Sequence, residues 1–207
     1  MKFVKILLLV IIIIAGGFFF FNQKTSKKSI CPLNNTNIIT IGDSLANGFG
    51  INNEDSFAIQ IPKKLNKNAT KRGIDGETTS GLLQRIDSEL NKNNIAAIII
   101  SIGGNDILRN INKEKTKQNL DLIVKKAKEK TSCVVLLGVP DGVLGSIVGN
   151  VSPIYNEIAN KYNVLLESSS MPKILKSSSL KVDQIHPNKE GHSMIADNIV
   201  GLIKRNK

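Results

Sequence analysis

The stretch Ile95-Ala96-Ala97-Ile98-Ile99-Ile100-Ser101-Ile102 holds one polar residue in eight and runs directly into Gly103-Gly104-Asn105-Asp106. A half-buried strand alternates apolar and polar residues, whereas a strand covered on both faces of a parallel sheet reads as a continuous apolar run. Other runs flank it. Ile38 to Ile41 ends in Gly42, Ala69 to Ile74 is weaker, Cys133 to Val139 is strong, and Val164 to Leu166 is short. Between them the apolar residues take helical spacing: Leu82, Leu83, Ile86 and Leu90, then Leu120, Ile123, Val124 and Ala127, then Tyr155, Ala159 and Tyr162. Asn188 is placed to cap a last helix through Met194, Ile195, Ile199, Leu202 and Ile203. Strands alternating with helices predict one α/β domain built on a parallel, doubly wound sheet of five strands.

The chain has 207 residues, a net charge of +11 and 41 % hydrophobic residues, which suits one ordinary domain with an appendage. That apolar content excludes disorder, and two cysteines exclude a disulfide scaffold. The charge is unevenly placed. No acid precedes Asp43, while Lys2, Lys5, Lys24, Lys27 and Lys28 do, and without those five the charge is +6. Five of the seven phenylalanines also lie before the linker, leaving Phe49, Phe57, Tyr155 and Tyr162 with no Trp. So few aromatics argue against a platform for stacking bases or sugars, and scattered lysines argue against a nucleic-acid partner.

Ile6 to Phe21 is an uncharged apolar run flanked by lysines. As a helix it reaches roughly 24 Å, enough to span a hydrocarbon core of about 30 Å only if Phe3 and Val4 contribute and Lys5 snorkels. A cleaved signal would use Ala15-Gly16-Gly17, but four phenylalanines directly after it make a poor mature terminus, so an uncleaved anchor is preferred. Residues 1–21 are thus read as a membrane anchor or signal segment, 22–37 as a linker and 38–207 as an exported domain. Cys31 and Cys133 could pair if the domain is exported; equally, both could be free, since each borders a strand where a small hydrophobe fits. No cysteine and histidine spacing suggests a metal, and no cofactor is called for.

In such a sheet the functional crevice lies outside the carboxyl ends of the strands. The first strand is followed by Gly42-Asp43-Ser44-Leu45, the second by Asp75-Gly76-Glu77-Thr78, and the third by Gly103-Gly104-Asn105-Asp106. The loop before the last helix carries Asp183-Gln184-Ile185-His186-Pro187. A Ser, a His and an Asp on loops of one sheet edge are what nucleophilic acyl transfer needs. Taken singly, each has a plainer reading: Ser44, Asn105 and Asp183 as caps, Gly76 and Gly104 as turn glycines, His186 as a surface residue, His192 as structural.

Together the blocks resemble the SGNH, or GDSL-type, hydrolase family from Ile38 to the last helix. Within it the chain is most similar to the bacterial thioesterase/lysophospholipase/arylesterase branch, supported by Gly138-Val139-Pro140 and Ser152-Pro153-Ile154-Tyr155-Asn156-Glu157-Ile158-Ala159. The resemblance implies a flavodoxin-like three-layer sandwich, with Ser44 as nucleophile, His186 as general base and Asp183 orienting it. It also implies an oxyanion hole from the N–H groups of Ser44 and Gly76 and the side-chain amide of Asn105. Asp75 departs from the small residue usual there, which alters the charge at the pocket mouth.

Residues 138–153 carry Gly138, Gly142, Gly145 and Gly149 among Val143, Leu144, Ile147 and Val148. These four apolar residues read either as an acyl-chain wall or as irregular core. With few aromatics, an acyl ester, a thioester or another lipid-derived small molecule suits the chain better than a carbohydrate ester. A carbohydrate or peptidoglycan acetyl-esterase is the rival enzyme, and a silent membrane-tethered binding domain the rival of another class.

Overall fold

The computed structural model describes residues 31–141 and 149–207. The expected anchor and the expected substrate residues Val143, Leu144, Ile147 and Val148 lie outside the described residues. The strands are β1 (Asn37–Gly42), β2 (Asn68–Gly73), β3 (Ile95–Ser101), β4 (Val134–Leu137) and β5 (Leu165–Glu167). They form one sheet in the order β2-β1-β3-β4-β5, every pair parallel. Helices α1 (Ser44–Asn47), α2 (Phe57–Lys64), α3 (Thr79–Glu89), α4 (Gly104–Leu108) and α5 (Lys113–Lys128) precede β4. Helices α6 (Pro153–Tyr162), α7 (Ser170–Lys176) and α8 (Lys189–Arg205) follow it.

Strand residues alternate between two cores, one on each face. Ile39, Ile41, Ile98, Ile100, Val134 and Leu136 pack against α3, α5 and α6 through Leu82, Ile86, Leu120, Ile123 and Tyr155. Ile38, Ala97, Ile99, Val135 and Leu137 face α2, α7 and α8 through Phe57, Ile61, Ile174, Ile195 and Ile199. All seven β3 residues are therefore buried, which is why its sequence shows no alternation.

Helix α2 is absent from the periodicity reading because Pro62 falls inside it and it shows little more than two turns of pattern. Ser56 caps it through the Ala58 N–H, and Phe57 and Ile61 bury against the α8 layer, offsetting the bond that Pro62 cannot donate. The composition of 22–37 marks a linker, yet Cys31 and Leu33 are buried in the second core. Cys31 is joined to Cys133 in a disulfide with Cα atoms 4.4 Å apart, and its N–H donates to the Asn206 carbonyl at 2.8 Å. The open question of pairing is thus answered: the start of the described chain is fastened beside its end, at the amino edge of β4.

The sheet's register positions the other edge. Gly42 pairs with Gly73 on one side and Ser101 on the other, so three strands end level. Gly42 has φ +147° and a Cβ there would lie 1.7 Å from the Ser101 carbonyl oxygen, so no other residue fits this crossing. The strand order reverses between β1 and β3, which makes this level the switch-point crevice of the sheet.

Candidate active site

β1 delivers Asp43 and Ser44 to the crevice. The cap of α1 is Asp43, whose Oδ1 accepts the Leu45 N–H at 3.1 Å, so Ser44 occupies the first helical position with its hydroxyl free of capping. Asp43 is buried, and burial raises its carboxyl to about 7; Glu77 and Asp106 push the same way, against the Leu45 N–H. Ser44 Oγ lies 2.9 Å from His186 Nε2, and His186 Nδ1 lies 2.7 Å from Asp183 Oδ2. A proton on Nδ1 satisfies the carboxylate and leaves Nε2 as acceptor for the Ser44 hydroxyl.

Asp183 does two things at once. Its Oδ1 accepts the N–H groups of Ile185 and His186, both at 2.8 Å, closing a local turn, while Oδ2 is kept for the ring. Partial burial alone would raise this carboxyl, but the His186 backbone N–H, the His186 ring and the Ile185 N–H outweigh it and hold it at about 2. The loop is closed by Val182 N–H donating to the His186 carbonyl at 2.9 Å, and Asn188 then caps α8 through the Gly191 N–H.

Helix α4 brings in the third block. Gly103 has φ +110°, and a Cβ there would meet the Tyr155 hydroxyl at 2.4 Å, so the turn from β3 into α4 depends on glycine. Asn105 Nδ2 donates one proton to the Glu77 carbonyl at 3.0 Å, leaving its second amide proton unassigned. Buried Asp106 accepts from the Thr79 N–H at 2.9 Å, the Thr79 hydroxyl at 2.5 Å and the Thr116 hydroxyl at 3.2 Å. The second-block loop is therefore tied to α4 as well as to β1, where Ile74 N–H donates to the Gly42 carbonyl at 2.9 Å. Arg85 adds a fork on Glu77, both bonds 2.6 Å, and reaches the Gly42 carbonyl at 3.3 Å.

Gly76 sits in that loop at φ +74° but is not among the residues lining the groove beside Ser44. Among the described residues neither the Ser44 nor the Gly76 N–H has an acceptor. Asp75 is exposed and takes the Asn47 side-chain amide at 2.8 Å, so part of its charge is engaged locally.

The groove has a volume of about 950 Å³, and its polar lining includes Ser44, Asn105 and His186 as well as Lys113, Asp141 and Lys176. Its apolar walls are Ile107, Leu108 and Ile111 after β3, Val139 and Ile154 near the glycine-rich segment, and Met171, Leu175 and Ile185. The sequence reading offers Val143, Leu144, Ile147 and Val148 as either an acyl wall or irregular core, and names none of these as a wall. They lie on five separate segments, and only the fold brings them together. Phe49, counted there only as an aromatic, has its ring centroid 4.5 Å from that of His186. His192 is fully buried, stacks on Phe57 and accepts its N–H at 3.3 Å, as a structural histidine would. Burial, then the nearby His186, lowers it to about 4. Among the described residues no group of three His, Cys, Asp or Glu converges as metal ligands would.

The fold and this site define a hydrolase of the SGNH type. Residues 40–194 match the GDSL-like Lipase/Acylhydrolase family, and the chain belongs to it. It is similar to esterase TesA of Pseudomonas aeruginosa, with 24 % identity over 179 residues spanning 81 % of this chain and 87 % of that protein. It is also similar to thioesterase 1/protease 1/lysophospholipase L1 of Escherichia coli, with 26 % identity over 165 residues, 77 % of this chain and 79 % of that one. In three dimensions it resembles the psychrotrophic esterase EstA from Pseudoalteromonas sp., solved as inhibited by monoethylphosphonate: TM-score 0.70 and 26 % identity, covering 82 % of this chain and 97 % of that one.

Proposed function

We propose that the protein is a serine esterase acting on acyl esters or thioesters with an apolar chain, through Ser44, His186 and Asp183. The observation that carries this reading is the hydrogen-bonded series Ser44 Oγ, His186 ring, Asp183 carboxylate at 2.9 and 2.7 Å, with Ser44 and His186 lining a largely apolar groove. His186 Nε2 takes the Ser44 proton as Oγ attacks the substrate carbonyl, and Asp183 keeps the ring in the accepting tautomer. The Ser44 and Gly76 N–H groups and the second amide proton of Asn105 stabilise the tetrahedral oxyanion. Collapse passes the proton from His186 to the departing alcohol or thiol, and water then releases the acid from the acyl-enzyme by the same route.

The groove volume lies within the range of small-molecule sites, and its walls favour a hydrocarbon chain over a sugar. The disulfide supports an exported domain, since such bonds persist in oxidising compartments. Residues 1–21 then serve as membrane anchor, and 38–207 as the exported enzyme. The test is labelling by a fluorophosphonate, lost in Ser44→Ala, with turnover followed over an ester series of increasing chain length. A labelled enzyme whose activity peaks at acetate has the acetyl-esterase specificity instead, and an unlabelled, inactive protein ends the enzyme reading.

A further inference from the structure

One turn of helix meets the second-block loop at consecutive residues. Asn105 Nδ2 donates to the Glu77 carbonyl at 3.0 Å, and Arg109 Nη2 donates to the neighbouring Gly76 carbonyl at 2.8 Å. Arg109 is the C-cap of α4, four residues after Asn105, so both side chains leave the same face. Among the described residues this guanidinium pairs with no carboxylate, whereas Arg72 and Arg85 both do. Instead a long, exposed side chain is ordered against a neutral carbonyl, which costs rotamer freedom.

The target explains the arrangement. Gly76 has φ +74° and no side chain, so nothing of its own packs to hold its peptide planes. Its carbonyl and its N–H lie in adjacent peptide planes joined by its own φ and ψ, and the turn closed by the Glu77 N–H on the Ile74 carbonyl at 3.2 Å restricts both torsions, so holding the carbonyl as well narrows where the N–H points. We propose that Arg109 is a positioning residue for the oxyanion hole: by holding the Gly76 carbonyl it keeps the Gly76 N–H aimed where charge develops on the substrate oxygen. The proposal rests on the esterase reading above. Arg109 itself touches neither substrate nor reacting atoms.

The experiment compares wild type, Arg109→Ala, Arg109→Gln and Arg109→Lys by kcat and KM on a neutral short-chain p-nitrophenyl ester. Each is also titrated with an alkyl boronic acid. Ser44 Oγ adds to boron as its proton passes to His186, giving a tetrahedral boronate anion that needs the same donors as the transition state. Loss of a whole oxyanion donor costs about 10²–10³ in kcat, so misaiming one is expected to cost roughly tenfold. Arg109→Ala and Arg109→Gln should lower kcat by that factor, weaken boronate binding in parallel and leave KM nearly unchanged. Arg109→Lys, which restores one charged donor, should recover part of both losses. If the alanine variant fails to fold, the glutamine variant carries the comparison. Unchanged kcat and boronate affinity overturn the proposal, as does a change confined to KM, which would make Arg109 a ground-state contact. A wild type that neither turns over nor labels at Ser44 overturns the esterase reading and this proposal with it. Normal labelling with an indifferent Arg109 overturns this proposal alone.

Discussion

The two halves of the site are held by different means. Ser44 and Asn105 stand at the ends of β1 and β3, and their surroundings are long-range: Gly42 against Ser101, Asp106 against Thr79, Arg85 against Gly42. Asp183 and His186 stand on a loop closed by neighbours only, with bonds from Asp183 to residues two and three positions away. The Ser44 half is therefore part of the core, whereas the His186 half is a short preformed turn brought up to it by α8. Damage to the long-range bonds that frame the first half should cost both fold and turnover, and damage to the second turnover alone.

The largest expected effect is on the strand-end half: Ser44→Ala should lower kcat by about 10⁴-fold or more in ester hydrolysis, since the attacking group is gone. Because the hydroxyl caps nothing, the melting temperature should stay put. Asp183→Asn probes the loop half. Asn keeps an Oδ1 for the two backbone N–H groups, but its amide opposes His186 Nδ1 and forces the proton to Nε2, so kcat should fall up to ~10⁴-fold with stability intact. A matching loss of stability would erase the contrast between the halves.

Asp106→Ala sharpens it from the other side. It leaves the Thr79 N–H buried without its acceptor, which should lower unfolding free energy by about 1–3 kcal/mol in urea titration and reduce kcat as well. A smaller effect concerns the walls, which both halves contribute. Each methylene that reaches Leu108 or Leu175 should raise kcat/KM up to about fourfold, and Leu108→Ser with Leu175→Ser should flatten that gradient while sparing acetate esters.

The smallest concerns α8 itself. An unfolded His192 gains its proton below about pH 6.5, but the folded one resists until about 4, so stability should fall as pH drops through that interval. Asp43 works with the opposite sign. Its folded carboxyl holds a proton up to about 7, so its contribution declines as pH rises from about 4 to 7. The difference between wild type and His192→Gln in urea titrations at pH 7 and pH 4.5 isolates the histidine, and equal losses in both would remove it as the cause.

Much of this was legible in order of residues. The strand runs were recoverable to within a residue or two, best at β3, where burial on both faces leaves an almost unbroken apolar run, and least clearly at edge strand β2, whose Lys71 and Arg72 are only half-buried. The four polar blocks were recoverable because a parallel sheet must present its loops at one edge. Helix α2 was not, since Pro62 and a short pattern hide it, nor was the pairing of Cys31 with Cys133 across 102 residues. Arg109 carried no local signal at all, because its partner is a backbone carbonyl on another loop.

Local periodicity, turn chemistry and residue type by themselves determined the class of fold, the edge of the sheet that matters and the side chains that gather there. They could do so because each depends on contacts within a few residues or on one repeated rule of burial. Only the tertiary structure decided that Asp43 rather than Ser44 caps α1, that one histidine faces the groove while another is sealed six residues on, and that five distant segments form one apolar wall. Those are questions of which surfaces meet, and packing across the chain settles them where no short stretch of sequence can.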